Sequence, residues 1–179
     1  MSVLAIIFGH LSLSEIRKSA GRLKGEGLAM TGLVLGYVGV AAIPVILIIA
    51  AIAIPNLLRA RMAANEASAM ASVRTLVVAE VGYSTSHPDA GYTCTLSDLS
   101  AAGLIDAKLA SGQKNGYAFE LLGCSASAES VANVKYRVVA YPLTRNTTGT
   151  RAFCADESGV VKTNEKGSPQ DCGESGSTL

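Results

Sequence analysis

Residues 28–58, LAMTGLVLGYVGVAAIPVILIIAAIAIPNLL, carry no charged side chain. As a helix rising ~1.5 Å per residue this run is roughly 46 Å long, against a hydrocarbon core of about 30 Å. It spans a bilayer and still projects. The competing reading is a soluble core helix, but these rarely exceed ~20 residues and normally keep a polar face. Here no charge interrupts any face. Gly32, Gly36 and Gly39 line up small residues, and Gly32-x-x-x-Gly36 has the spacing for close helix packing. Pro44 and Pro55 each remove a backbone donor and clash with the preceding turn, so a kink is expected at both. Lipid tolerates such breaks where neighbouring helices cover the freed carbonyls.

Before this run, Val3 to Phe8 is a short apolar stretch ended by Gly9-His10. Six residues cannot cross a membrane. The stretch is either a stub that dips into the bilayer or the end of a first membrane helix. It is not a secretory signal, since no basic region precedes it and no small-residue cleavage site follows. The polar segment LSLSEIRKSAGRLKGEG then carries Arg17, Lys18, Arg22 and Lys24, which favour the cytoplasmic side. Arg59, Arg61 and Arg74 oppose that bias from the far end. His10 is read as a polar interfacial residue rather than a ligand, because no His, Asp or Cys partner lies near it in sequence.

After Pro55 the helix continues as an amphipathic segment. Ala63, Ala67, Met70, Val73, Val77 and Val81 fall at helical spacing with Leu76 beside them, while Arg59, Arg61, Asn65 and Arg74 mostly lie away. Such a stripe needs a cover. A coiled-coil partner fits poorly, since sustained Leu at both seam positions is lacking. His87-Pro88-Asp89-Ala90-Gly91 stops the helix. Ser97-Asp98 caps a short helix through Ala102, ended by Gly103, and the segment Gly112 to Tyr117 is a turn. Tyr117, Phe119 and Leu121 alternate with Ala118, Glu120 and Leu122, and Val134, Tyr136, Val138 and Ala140 alternate with their neighbours in the same way. Arg151–Cys154 and Val160–Lys162 flank the turn Asp156-Glu157-Ser158-Gly159. The tail from Gly167 has little to bury. The expected fold class is α+β: a long transmembrane-plus-amphipathic helix laid on a small antiparallel sheet of about four strands. The organisation is 1–27 membrane stub and basic cytoplasmic loop, 28–55 transmembrane helix, 56–90 amphipathic helix and 91–179 head.

Cys94, Cys124, Cys154 and Cys172 sit apart, without Cys-x-x-Cys or zinc spacing. An even number beyond a membrane helix favours disulfides in an oxidising compartment, with buried free thiols as the alternative. Three pairings are possible. Cys94 with Cys124 and Cys154 with Cys172 is preferred, because each closes a local loop worth ~3 kcal/mol in the chain-entropy model. Nothing suggests catalysis: the chain lacks Gly-x-Ser-x-Gly, a phosphate-cradling loop and His-Glu-x-x-His. Glu66 and Glu80 read as carboxylates that are solvated or paired with Arg, and Asn146-Thr147-Thr148 as a polar turn. From Gly91 to Leu179 eight Lys or Arg stand against nine Asp or Glu, so this region is nearly neutral and has no basic face for nucleic acid. No cofactor, metal or small-molecule substrate is expected, and the chain is expected not to be an enzyme.

Two resemblances add to this reading. AIIFGHLSLSEIRKSAGRLKGEGLAMTGLVLGYVGV resembles a small bacterial domain family of unknown function, in which Gly-His ends one membrane helix, a basic loop follows and a Gly-rich second helix returns. The match runs through Gly9, His10, Leu13, Ile16, Arg17, Ser19, Gly21, Gly27, Leu28, Gly32, Leu33, Leu35, Gly36 and Tyr37, and covers the second half of such a hairpin. AAIAIPNLLRARMAANEASA, in which Ile-Pro-Asn joins an apolar run to a basic, Ala-rich helix, resembles the first helix of type IV pilins and pseudopilins. DLSAAGLID, NGYAFEL and RAFCADESGVV follow in the order of that family's heads. The resemblance implies a structural subunit of a type IV pilus or type II secretion assembly, anchored in the bacterial inner membrane with its head in the periplasm and reaching the cell surface if a filament forms. Its partners would be the membrane and other pilin-like subunits or copies of itself. A permanently anchored periplasmic binding or sensor module is the alternative. Aligning Pro55 with the family's proline puts the processing site between Leu33 and Val34, where the expected Gly-Phe is missing, and puts the family's acidic residue at Val38. Gly27-Leu28, after Arg22 and Lys24, is an alternative cut.

Overall fold

The structure is a computed structural model that describes residues 2–19, 25–126, 132–170, 172 and 177–178. The chain forms two compact units, Met1–Leu57 and Leu58–Leu179.

In the first unit α1 (Ser2–Lys18) is followed by the opening part of α2 (Glu26–Ser86). Gly9-His10 does not end the first helix, contrary to expectation. Helix continues through the segment read as a polar loop as far as Lys18, because glycine at position 9 serves packing rather than termination. A Cβ there would lie 3.3 Å from Leu33 Cβ, so its absence lets α1 and α2 approach closely. One residue on, the His10 ring meets Tyr37 edge-on at 6.3 Å between centroids. Arg22 and Lys24 of the basic segment, and Gly21, lie outside the described residues. Gly36 is buried within the unit and Gly32 and Gly39 are half-buried, so the small-residue face is partly covered by the chain itself. Gly32 still has open space where a Cβ would stand.

Helix α2 runs unbroken through Pro44 and Pro55. None of its most apolar stretch is buried. Ile46, Leu47, Ile48, Ile49, Ile52 and Ile54 are all largely exposed. The helix is long and apolar enough to cross a membrane.

The second unit is α+β. From Leu58, α2 lies on an antiparallel sheet of consecutive strands β1 (Gln113–Lys114), β2 (Tyr117–Ala126), β3 (Asn133–Pro142), β4 (Ala152–Asp156), β5 (Lys162–Asn164) and β6 (Ser177–Thr178). Among the described residues the sheet has six strands rather than about four. The additions, β1 and β6, have two residues each and are held by pairing with longer neighbours, so neither has enough alternation to be read in sequence. Asn115 and Gly116, both with positive φ (50° and 75°), form the two-residue hairpin between β1 and β2. Alternation divides the sheet into two faces. Tyr117, Phe119, Tyr136, Val138, Phe153 and Ala155 join Ala69, Val73, Leu76 and Ala79 of α2 in the main core. Val139 and Cys154 face away and enclose Cys172. The tail therefore buries something after all: Cys172 is fully covered, and β6 pairs with β5.

Between α2 and the sheet, α3 (Leu96–Ala101) is capped by Thr95, whose hydroxyl accepts from Asp98 N at 3.2 Å, two residues before the expected Ser97 cap. Helix α4 (Ala107–Ala110) was not legible, being a single turn capped by Asp106. Leu99 and Leu109 from these two turns plug the core.

Candidate functional site

The buried face of α2 is rotated from the expected stripe. Ala63, Ala67 and Val81 are exposed, while Glu66, Ala69, Val73, Leu76 and Glu80 are buried. Val73 and Leu76 are buried as expected, and Met70 and Val77 of the same stripe are half-buried against the core. The rotation follows from two carboxylates two heptads apart, each of which holds a different loop of the head.

Glu66 is paired with Arg, as expected, but is buried rather than solvated. Its Oε1 accepts from Thr150 N and Oγ1, both at 2.8 Å, and from Arg151 N at 3.3 Å. Its Oε2 accepts from Arg151 Nε at 2.9 Å and Nη2 at 2.7 Å. Burial alone would raise this carboxyl's pKa, but the bonds from Thr150 and Arg151 outweigh it and hold the carboxyl below its ordinary value. Around this clamp, Tyr117 Oη donates to Arg151 O at 2.9 Å, and Asn65, read as facing away, donates to Thr148 O at 2.9 Å. Gly149 is required between them, since a Cβ there would overlap the buried Tyr117 ring.

Glu80 was also expected to be solvated or paired with Arg, and it is neither. It is fully buried, accepts from Thr93 N at 3.0 Å through Oε2, and has no hydrogen-bond partner at Oε1 among the described residues. Burial in an apolar setting without a cation, with Asp98 nearby, raises its pKa to about 7 despite the Thr93 bond. Tyr136 Oη beside this region is likewise buried and has no partner among the described residues, and burial raises its pKa. The sequence signal for both clamps was a carboxylate inside an apolar stripe at i and i+14, with Val73 midway.

The four cysteines form the two local pairs: Cys94 with Cys124, with Cα atoms 5.8 Å apart, and Cys154 with Cys172, 6.0 Å apart. The first ties the segment after Thr93 to β2, and the second ties the tail to β4. No group of three His, Cys, Asp or Glu fit to hold a metal occurs among the described residues.

Outside the core, Val78 on α2 is 70% exposed and is flanked by two shallow grooves, one completed by Val160 and one by Leu104. In the first unit, α1 and α2 frame a groove of ≈ 440 Å³ lined by His10, Leu13, Ser14, Arg17, Lys18 and Leu33. The candidate processing pair Gly27-Leu28 lies in the first turn of α2, where Gly27 O accepts from Thr31 Oγ1 at 2.8 Å.

Residues 1–54 are similar to a family described as a domain of unknown function (DUF4190), on the stretch where the first resemblance was seen. No curated protein and no solved structure matches the chain.

Proposed function

We propose that this protein is a non-enzymatic, membrane-anchored, pilin-like subunit or accessory component that keeps its N-terminal segment and stays in the membrane. The observation that carries the reading is α2 itself. One helix is apolar and uncovered over the length of a bilayer, then becomes the buried spine of a disulfide-linked α+β head. This is the order of parts in which pilins and pseudopilins are built, joined here by the same Ile-Pro-Asn sequence at residues 54–56. The head would lie in the periplasm, an oxidising compartment that suits both cystine pairs.

Retention is supported by the start of the chain. Arg17, Lys18, Arg22 and Lys24 precede the apolar run. Drawing four such charges through hydrocarbon costs roughly 2.5–3.5 kcal/mol each, of order 10 kcal/mol per subunit before any packing gain. The contacts of α1 with α2 at Gly9 and Tyr37 also favour the alternative of a permanently anchored periplasmic binding or sensor module, because they spend part of the small-residue face inside the chain. The test compares sheared surface filaments with washed membranes, together with N-terminal sequencing. We expect full-length chain in membranes and none in filaments. An intact N-terminus in filaments overturns retention, and a reporter fused after Leu179 that is active only in the cytoplasm overturns the topology.

A further inference from the structure

The α1–α2 groove has a composition that the structural role does not use. His10, Leu13, Ser14, Arg17 and Lys18 follow helical spacing along one side of α1, and Leu33 of α2 closes the floor. The groove is graded. Its inner part, Leu13 and Leu33, is apolar and sits beside the close contact of Gly9 with Leu33. Its outer part carries two cations, a hydroxyl and an imidazole, and no ion pair among the described residues engages Arg17 or Lys18. The acids nearest in sequence, Glu15 and Glu26, are exposed and do not line the groove. Beyond it, Val3, Leu4, Ile7, Phe8 and Leu11 on α1 and Leu28, Val34 and Leu35 on α2 are exposed apolar residues. The basic end therefore marks the boundary of an otherwise apolar helix pair.

We propose that this groove binds the phosphate headgroup of an anionic phospholipid, with Arg17 and Lys18 on the phosphate, Ser14 and His10 as further hydrogen-bond partners, and the first acyl carbons along Leu13 and Leu33. The proposal rests on the membrane-anchored reading. Two chemistries share the phosphate, a lipid headgroup and the free inorganic ion. The apolar floor selects the lipid, because an inorganic phosphate gains nothing from two leucines, whereas a glycerophospholipid presents charge and hydrocarbon in the order the groove does. Basic pockets between membrane helices at the leaflet surface take anionic headgroups for this reason. Guanidinium and ammonium donors supply the charge-assisted bonds.

The experiment uses the full chain in detergent, titrated with phosphatidylglycerol or phosphatidylcholine and read by native mass spectrometry, with membrane insertion followed separately by flotation and resistance to carbonate extraction. We expect phosphatidylglycerol to be retained on the order of 10-fold better than phosphatidylcholine, from two cations at the surface. R17Q/K18Q should lose that preference while still floating with membranes. R59Q/R61Q, which removes two exposed arginines at the other end of the apolar run, should keep it. Equal binding of the two lipids, or a preference that survives R17Q/K18Q, overturns the proposal. Displacement of bound phosphatidylglycerol by equimolar inorganic phosphate overturns the choice of a lipid ligand. Failure of the wild-type chain to float would instead refute membrane anchoring, and is distinguishable because flotation does not depend on the lipid titration.

Discussion

Glu80→Gln isolates a single buried charge. The carboxyl is raised from 4.5 to about 7, so the folded state holds its proton more tightly than the unfolded chain does. Below pH 4.5 both states are protonated and Glu80 costs nothing as an ion. Between that value and pH 7 the unfolded chain ionises while the folded one does not, so stability falls as pH rises, and above pH 7 the full penalty is present. At 1.36 kcal/mol per unit the penalty reaches roughly 3 kcal/mol, an upper bound because the unfolded chain is not fully solvated. Glutamine keeps an oxygen for Thr93 N and removes the titration. The variant should therefore match wild type near pH 4 and exceed it by up to ~3 kcal/mol at pH 8, with a flatter profile. Full-length protein in detergent, disulfides intact, can be followed by urea-dependent pulse proteolysis across this range. Destabilisation by the same amount at every pH would refute the reasoning, since it would mean that the carboxyl's shape and bonds matter and its charge does not.

The Glu66 clamp should respond asymmetrically: Glu66→Ala strands Thr150 and Arg151 donors and should cost about 3 kcal/mol, whereas Arg151→Ala, at a side chain 44% exposed, should cost about half of that by the same denaturation assay. Gly149→Ala should destabilise by at least ~1–3 kcal/mol, since its Cβ would press on Tyr117 ring atoms that have no room to yield. Replacing Cys154 and Cys172 together with Ser should cost about 3 kcal/mol and release the tail to limited proteolysis, because the bond closes a span of 18 residues. Nonreducing peptide maps that recovered crossed pairs would contradict the sheet order.

Legibility in the sequence followed the range of the interactions. Residues 28–58 declared themselves by the absence of charge, and β2 and β3 by alternation, because each property is local. The cystine pairing was also legible, since both loops are short in sequence. The rotation of α2 was not. Ala63, Ala67 and Val81 count as apolar in any periodicity, and what fixes the helix face is a set of donors at Thr150 and Arg151, more than 80 positions away from Glu66. Gly9-His10 misled for a related reason: glycine reads as a breaker locally, while its use here is set by Leu33 across the helix pair.

The two clamps also explain why a helix face made of small aliphatic residues takes one position on the sheet. Ala69, Val73, Leu76 and Ala79 present a shallow relief with few large side chains to lock into the sheet. A carboxylate cannot shift without losing its bonds. Moving Glu66 by one turn, about 5.4 Å, breaks all its bonds to Thr150 and Arg151 at once. Moving Glu80 leaves the Thr93 amide unpaired beside the Cys94–Cys124 bond. The clamps differ in what they cost: among the described residues Glu66 is satisfied by a cation and three donors, whereas Glu80 has one donor and none on its second oxygen. Register is therefore secured chiefly at Glu66, and Glu80 trades stability for a second point of fixation, a use of buried polar groups that is known from helical assemblies. On this argument Glu80→Gln should gain stability without changing the fold. Glu66→Leu, which fills the space but removes every directional bond, should give a head whose backbone amides in 65–80 exchange heterogeneously even where its thermal midpoint is partly recovered. Uniform, wild-type-like exchange in Glu66→Leu would show that packing alone sets the register.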